Sequence, residues 1–145
     1  MSDFKFGKID SLKRDREIEG ETGTELGISG SEITLIVLAA TDANTKWKAR
    51  RESMRVELNR LNNAKASEPR VRDFLAGVYA ETLIKDWRGV VDDADPPNAI
   101  PFSREAAKAL LIEADDIFAA VDAIVYDTKN FRGSRIEARV DALKN

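Results

Sequence analysis

The chain contains neither cysteine nor histidine among its 145 residues. Without cysteine there is no disulfide, no thiolate nucleophile and no thiolate metal ligand. Without histidine the commonest general base and the commonest metal ligand are missing too, so catalytic triads, zinc sites and imidazole chemistry are excluded together. Catalysis would need carboxylates, lysine or tyrosine, and these form no recognisable catalytic arrangement. We therefore expect a protein that is not an enzyme and needs no cofactor.

Long apolar runs and a strong charge of one sign are also missing. The longest apolar run, residues 33–40 with Thr34 inside it, is too short to cross a bilayer. Residues 1–6 lack the apolar core of a signal peptide, which predicts a cytoplasmic location. The net charge of −3 gives no overall attraction to nucleic acid or to an anionic membrane, so we expect neither as a partner.

What the chain does have is the composition of one globular domain, 43% hydrophobic and 34% charged. The pattern predicts a mainly α protein of the α+β class, a bundle-like domain with a small N-terminal β element. Its predicted parts are a mobile arm at 1–15, a single domain at 16–132 with the β element at 16–40 and helices at 42–132, and a short amphipathic tail at 133–145.

Glycines at positions 20, 23, 27 and 30 precede the best strand candidate, residues 32–38. Neither a Gly-Lys-Ser/Thr motif nor a strand–glycine–helix order accompanies these glycines, which argues for turns rather than a phosphate cradle. The region therefore predicts a hairpin. The strand is apolar on both faces, so we expect it to be covered on both sides or to leave one face for a partner.

Four helices are predicted after the strand. The first runs from Thr41 or Asp42, as its cap, to about residue 62, and the second is capped by Ser67. The third is capped by Ser103, and the fourth by Asp115 or Asp116. Their apolar faces are Trp47, Met54, Leu58 and Leu61; Val71, Phe74, Leu75, Val78, Leu83 and Trp87; Ala106, Ala107, Leu110, Leu111 and Ile112; and Ile117, Phe118, Val121, Ile124 and Val125.

An acidic loop with Asp92, Asp93 and Asp95 is the densest group of carboxylates. A calcium-binding EF-hand starting at Asp93 would need a side-chain ligand, a glycine and a glutamate where Pro97, Asn98 and Arg104 stand. The template fails at all three positions. We expect a solvated loop and no metal site.

Charge is unevenly distributed along the chain. Residues 46–65 carry seven basic and two acidic side chains, whereas residues 81–127 carry eleven acidic and four basic ones. The basic helix is expected to be solvated or to complement the acidic second half. Trp47 and Trp87 fit a core, although either would anchor a partner if partly exposed. Trp47 and Arg51 are accordingly the candidate partner-binding residues.

Two segments, 86–92 and 100–107, carry a more specific pattern: a Trp-x-Gly-Val ending followed, after an acidic loop, by a proline-aromatic-serine entry into a helix. The positions that carry it are Trp87, Gly89, Pro101, Phe102 and Ser103. Within residues 32–132 the chain resembles the tail assembly chaperones of long-tailed bacteriophages. The residues are physically consistent with this, since Trp87 would plug a helix end, Gly89 would allow a turn and Ser103 would cap the next helix.

The resemblance implies an interaction protein without catalysis. Such chaperones bind the tape measure protein in the host cytoplasm until the tail tube protein polymerises around it, so both proteins are expected partners. A chaperone would be absent from the mature virion. A virion structural or connector protein is the alternative, in which the two terminal segments would order against neighbouring subunits. Self-association is a further expectation.

Overall fold

The computed structural model describes residues 4–133, of which a little over half lie in helices. The α+β class is therefore as predicted. The elements in chain order are β1 Thr24–Gly27, β2 Thr34–Val37, α1 Thr45–Asn63, α2 Glu68–Thr82, β3 Ile84–Arg88, α3 Arg104–Glu113 and α4 Asp115–Val125. A 3-10 turn at Asp10–Leu12 and a π turn at Ile18–Thr22 precede β1, and a 3-10 turn at Thr128–Phe131 follows α4.

The predicted hairpin is present, because β1 and β2 pair antiparallel from Thr24 opposite Val37 to Gly27 opposite Thr34. β2 lies in the middle of a three-stranded antiparallel sheet. The expected cover on both faces of this strand is present in part. Side chains on one face are fully buried, and those on the other are partly buried.

β3 is a correction to the sequence-based prediction, which continued the second helix through Trp87. The helix ends at Thr82, and the chain then pairs with β2. Leu35 and Val37 of β2 lie opposite Trp87 and Ile84, so β3 carries one extra residue at this point, a β-bulge. Because of the bulge, Ile84 and Trp87 lie on the same buried face although they are three residues apart. The same spacing is typical of an amphipathic helix, which is why the sequence pattern predicted one.

α1 begins at a different cap from the one predicted. Asn44, rather than Thr41 or Asp42, accepts a hydrogen bond from the backbone nitrogen of Trp47 at 3.3 Å. The side chain of Asn44 is buried, and its amide nitrogen also donates to two carbonyl oxygens of the core. The predicted apolar stripe of this helix does face the core.

For two of the three helices after α1, the N-cap is the residue that the sequence predicts. Ser67 and Ser103 cap α2 and α3 with their hydroxyl oxygens, as predicted. α4 has no side-chain cap; Ala114 occupies that position, and Asp115 and Asp116 lie in the first turn, where their charge favours the helix dipole.

The core lies between the sheet and the four helices. α3 buries Ala107 and Leu111, but Ile112 is 38% exposed, contrary to its predicted place on the apolar face. On α4, three residues of the predicted apolar face are buried, Ile117, Val121 and Val125, and the other two, Phe118 and Ile124, are partly buried against the core. α2 contacts α1, α3 and β3, which makes it the central helix of the fold.

The two predicted terminal segments are the arm at residues 1–15 and the tail at residues 133–145. The predicted arm, residues 1–15, ends in residues that touch the domain: Arg14 pairs with the fully buried carboxylate of Glu19, and Arg132 donates to the carbonyl oxygen of Ser11 at 2.8 Å. The mobility of the arm stays a prediction. The predicted tail at 133–145 lies, apart from Gly133, outside the described residues.

Candidate interaction surface

Two of the five motif residues, Trp87 and Phe102, contact each other. Trp87 is only 8% exposed, and its indole nitrogen donates to the carbonyl oxygen of Ile100 at 2.8 Å. The ring of Phe102 meets the indole edge to face, with centroids 5.3 Å apart. The expected burial of Trp87 is confirmed, but it lies in β3 and not at a helix end. This contact joins β3 to the chain that enters α3.

Gly89 permits a close approach of two backbones at the end of β3. Its φ is +81°, and a Cβ built at this position would lie 2.1 Å from the carbonyl oxygen of Glu32. No other residue fits without a shift of the chain. Pro101, exposed, and Ser103, which caps α3, complete the motif. Four of its residues therefore shape the local fold: Trp87, Gly89, Phe102 and Ser103.

The acidic loop is held by its own carboxylate. Asp92 accepts hydrogen bonds from the backbone nitrogens of Ala94 and Asn98, at 3.1 and 2.8 Å, and from the Asn98 side chain. These hydrogen bonds from Asn98 and Ala94 lower the pKa of Asp92. Within residues 4–133 no group of three or more acidic, histidine or cysteine side chains is placed to hold a metal ion.

Trp47, a candidate partner-binding residue, is 3% exposed and belongs to the core. Its ring packs against Tyr79 and, edge to face, against Tyr126, while Tyr79 stacks on Phe118 at 5.2 Å. The expectation of an exposed Trp47 anchor is therefore wrong, and the alternative, a core tryptophan, is correct. These four aromatic residues join α1, α2 and α4.

The hydroxyl groups of the two tyrosines in this cluster take part in a small hydrogen-bond network. Tyr79 donates to the carboxylate of Asp122 at 2.6 Å and lies 3.1 Å from the hydroxyl of Tyr126. Burial, followed by the hydrogen bonds to Asp122 and Tyr126, raises the pKa of Tyr79 far above its ordinary value. Burial also raises the pKa of Tyr126. Neither hydroxyl is poised to act as a base near neutral pH.

Arg51, the other candidate, is exposed on the outer side of α1. Its guanidinium pairs with the carboxylate of Asp42 at 2.7 Å, and both side chains are more than half exposed. An exposed pair of this kind contributes little to stability. Arg51 is thus accessible to a partner, and its role stays a prediction.

A groove whose place the sequence pattern does not show lies where α1, α2 and α3 meet. Its volume is about 660 Å³, and its floor is formed by Leu61, Phe74, Gly77 and Val78. Val78 belongs to the core as predicted, but Phe74 is only half-buried and lines the groove. The available signal was Gly77, a glycine inside an otherwise regular helix, since a residue without a side chain leaves space there.

Charged side chains form the rim of this groove. Arg50 pairs with Glu81, with the nearest atoms 3.8 Å apart, and its guanidinium lies over the ring of Phe74 at 5.7 Å. Lys108 pairs with Asp73 at 3.6 Å. These distances and exposures describe loose surface pairs that another molecule can displace. The groove combines an apolar floor with a charged rim.

The sequence model of the YdaY prophage protein family matches residues 42–145, well over half of the chain. The chain belongs to the YdaY prophage protein family. The YdaY match includes the four α-helices, β3 and the whole groove, and it leaves out the N-terminal hairpin. The protein is therefore phage-related.

No curated protein and no solved structure is significantly similar to the chain. Among residues 4–133, every helix is too short or too polar to cross a bilayer.

Proposed function

We propose that this YdaY-family protein is a tail assembly chaperone that acts by reversible binding of the tape measure protein, with the tail tube protein as a second partner. The observation that carries the proposal is the groove between α1, α2 and α3, with its apolar floor and charged rim. Membership of a prophage family supports the phage setting. The motif around Trp87 and Phe102 supports the chaperone role through resemblance.

The physical basis is helix-in-groove recognition. Before the tail tube protein polymerises around it, a long helical tape measure protein exposes an apolar stripe. Exposed stripes of this kind cause aggregation in water. A groove with an apolar floor covers part of the stripe, while a charged rim keeps the complex soluble. Loose rim pairs such as Lys108 with Asp73 suit a contact that must later be released.

The proposal also states where the protein acts and whether it remains in the virion. It binds in the host cytoplasm during tail assembly, performs no catalysis and is absent from the mature virion. The alternative, a virion structural or connector protein, predicts instead a fixed number of copies in each particle.

Co-expression with the tape measure protein encoded by the same prophage tests the proposal. The soluble fraction of the tape measure protein should rise with the wild-type chain. The Gly77→Leu variant should lose this effect, because a leucine side chain would fill the groove at a position where a Cβ alone would lie 3.6 Å from the Lys108 side chain. Gly77→Ala is the matched control, since it adds only a methyl group.

Both variants should fold, because leucine and alanine favour a helix over glycine by up to about 1 kcal/mol. Equal melting temperatures with loss of rescue only in Gly77→Leu would support the groove as the binding surface. A wild-type chain that leaves the tape measure protein insoluble, together with its presence in purified virions, would favour the structural alternative.

A further inference from the structure

The groove continues beyond the three helices into a smaller depression. This depression has a volume of about 200 Å³ and shares Glu81 and Arg104 with the groove. Its far end reaches Phe102, whose ring also contacts Trp87. We call the two together the long groove. It runs along the exposed side of α2 and ends at the motif contact.

The charges along the long groove are not balanced once the ion pairs are set aside. Arg50, Lys108 and Arg60 neutralise Glu81, Asp73 and Glu57. Among residues 4–133, four basic side chains of the lining have no carboxylate within ion-pair distance, against one acidic side chain. They are Lys46, Arg70, Lys85 and Arg104, against Glu105.

This local excess of positive charge contrasts with the net charge of the whole chain, which is −3. A cationic groove on an anionic protein attracts a partner of opposite charge to one place and repels it elsewhere. The floor requires an apolar face on that partner. The lining follows α2 from Arg70 to Glu81, roughly three helical turns, and a groove of this extent suits a helix.

We infer that the long groove takes an acidic amphipathic helix, whose apolar stripe lies on Phe74 and over Gly77 and whose flanking carboxylates pair with Arg70 and Arg104. The inference rests on the proposed function and names the kind of tape measure segment that is bound. A basic amphipathic helix would bring like charges to the rim and would bind less well.

Two labelled peptides of about 18 residues, long enough for a stable amphipathic helix, provide the test. Both carry leucines at helical spacing; one has glutamate at every flanking position and the other has lysine. Fluorescence anisotropy with the wild-type chain should show binding of the glutamate peptide that is about tenfold tighter or more, which corresponds to about 1.4 kcal/mol. The preference should weaken as salt is raised.

A charge-reversal variant locates the effect. Arg70→Glu combined with Arg104→Glu should remove or invert the preference. Lys48→Glu combined with Lys129→Glu makes the same change in net charge at exposed positions outside the groove and should leave the preference intact. Melting temperatures of both variants report folding, and the wild-type comparison of the two peptides does not depend on either variant.

Equal binding of the two peptides, or tighter binding of the lysine peptide, would overturn the inference. So would an equal loss of preference in both double variants, because the effect would then come from net charge. The proposed function fails separately: a clear preference for the glutamate peptide without rescue of the tape measure protein would refute the chaperone role and leave the specificity of the groove standing.

Discussion

The indole of Trp87 and the phenyl ring of Phe102 meet at 89°, with their centroids 5.3 Å apart, across an intervening acidic loop. The same indole donates to the carbonyl oxygen of Ile100. Residues that the sequence places in two separate segments therefore act as one structural unit. This unit fixes the start of α3, and α3 forms one wall of the groove.

Truncation of Trp87 should be severely destabilising. Trp87→Ala removes a buried aromatic ring and should lower the free energy of unfolding by about 3 to 5 kcal/mol. Trp87→Phe keeps a ring but loses the hydrogen bond to Ile100, so a smaller loss of about 1 to 3 kcal/mol is expected. Urea denaturation measures the free energy of unfolding of both variants, and thermal unfolding measures their melting temperatures. A Trp87→Ala variant within a few degrees of the wild-type melting temperature would contradict the structural role.

Gly89 should tolerate no side chain. Gly89→Ala combines a positive φ, which costs an L-residue about 1 to 2 kcal/mol, with a methyl group directed at the carbonyl oxygen of Glu32. The loss in unfolding free energy should exceed about 2 kcal/mol. Gly27→Ala is the control, because a Cβ there meets nothing within 4 Å. Similar stabilities of the two variants would refute the close approach.

Asn44 should not be replaceable by aspartate, although both are good helix caps. Its amide nitrogen donates to the carbonyl oxygens of Ala39 and Thr82, at 3.0 and 2.7 Å, and a carboxylate cannot donate. Asn44→Asp should cost about 2 kcal/mol or more in thermal or urea unfolding. Ser67→Asp, at the exposed cap of α2, should change stability by less than about 0.5 kcal/mol. Equally small effects at both caps would show that the two donated bonds contribute nothing.

Glu19 should make stability depend on acid pH. Burial raises the pKa of its carboxyl, but hydrogen bonds from Arg14 and Thr41 outweigh burial and leave the pKa below its ordinary value. Its contribution is therefore present above the pKa of the unfolded chain and is lost as pH falls through the lower pKa of the folded chain. Unfolding free energies from pH 7 to pH 3 should show a gap between wild type and Glu19→Gln that narrows as the pH falls. A gap that stays constant would contradict the ionised pair with Arg14.

The sequence predicted features that depend on local chemistry. Ser67 and Ser103 were identified as caps because a hydroxyl before a helical pattern satisfies amides in the next turn, whatever surrounds it. The hairpin followed from glycines beside a β-branched run. The α+β class followed from these same signals.

Features that depend on distant contacts were missed. The bulge in β3 gives Ile84 and Trp87 a helix-like spacing, and only the pairing with β2 shows that they lie on a strand. Asn44 is a better cap than Asp42 because its amide also reaches Thr82, which no local pattern reveals. The groove arises where three helices meet, so its residues are scattered along the chain, and Gly77 was the one local sign.

Lysine-directed cross-linking in induced cells tests the central claim, binding of the tape measure protein in the groove, most directly. The account predicts cross-links from Lys85 and Lys108, at the groove, to the tape measure protein before tails are complete, far fewer from Lys48 and Lys129, and none in purified particles. Absence of cross-links from the groove lysines to the tape measure protein, with the chain present in purified particles at fixed stoichiometry, would contradict it.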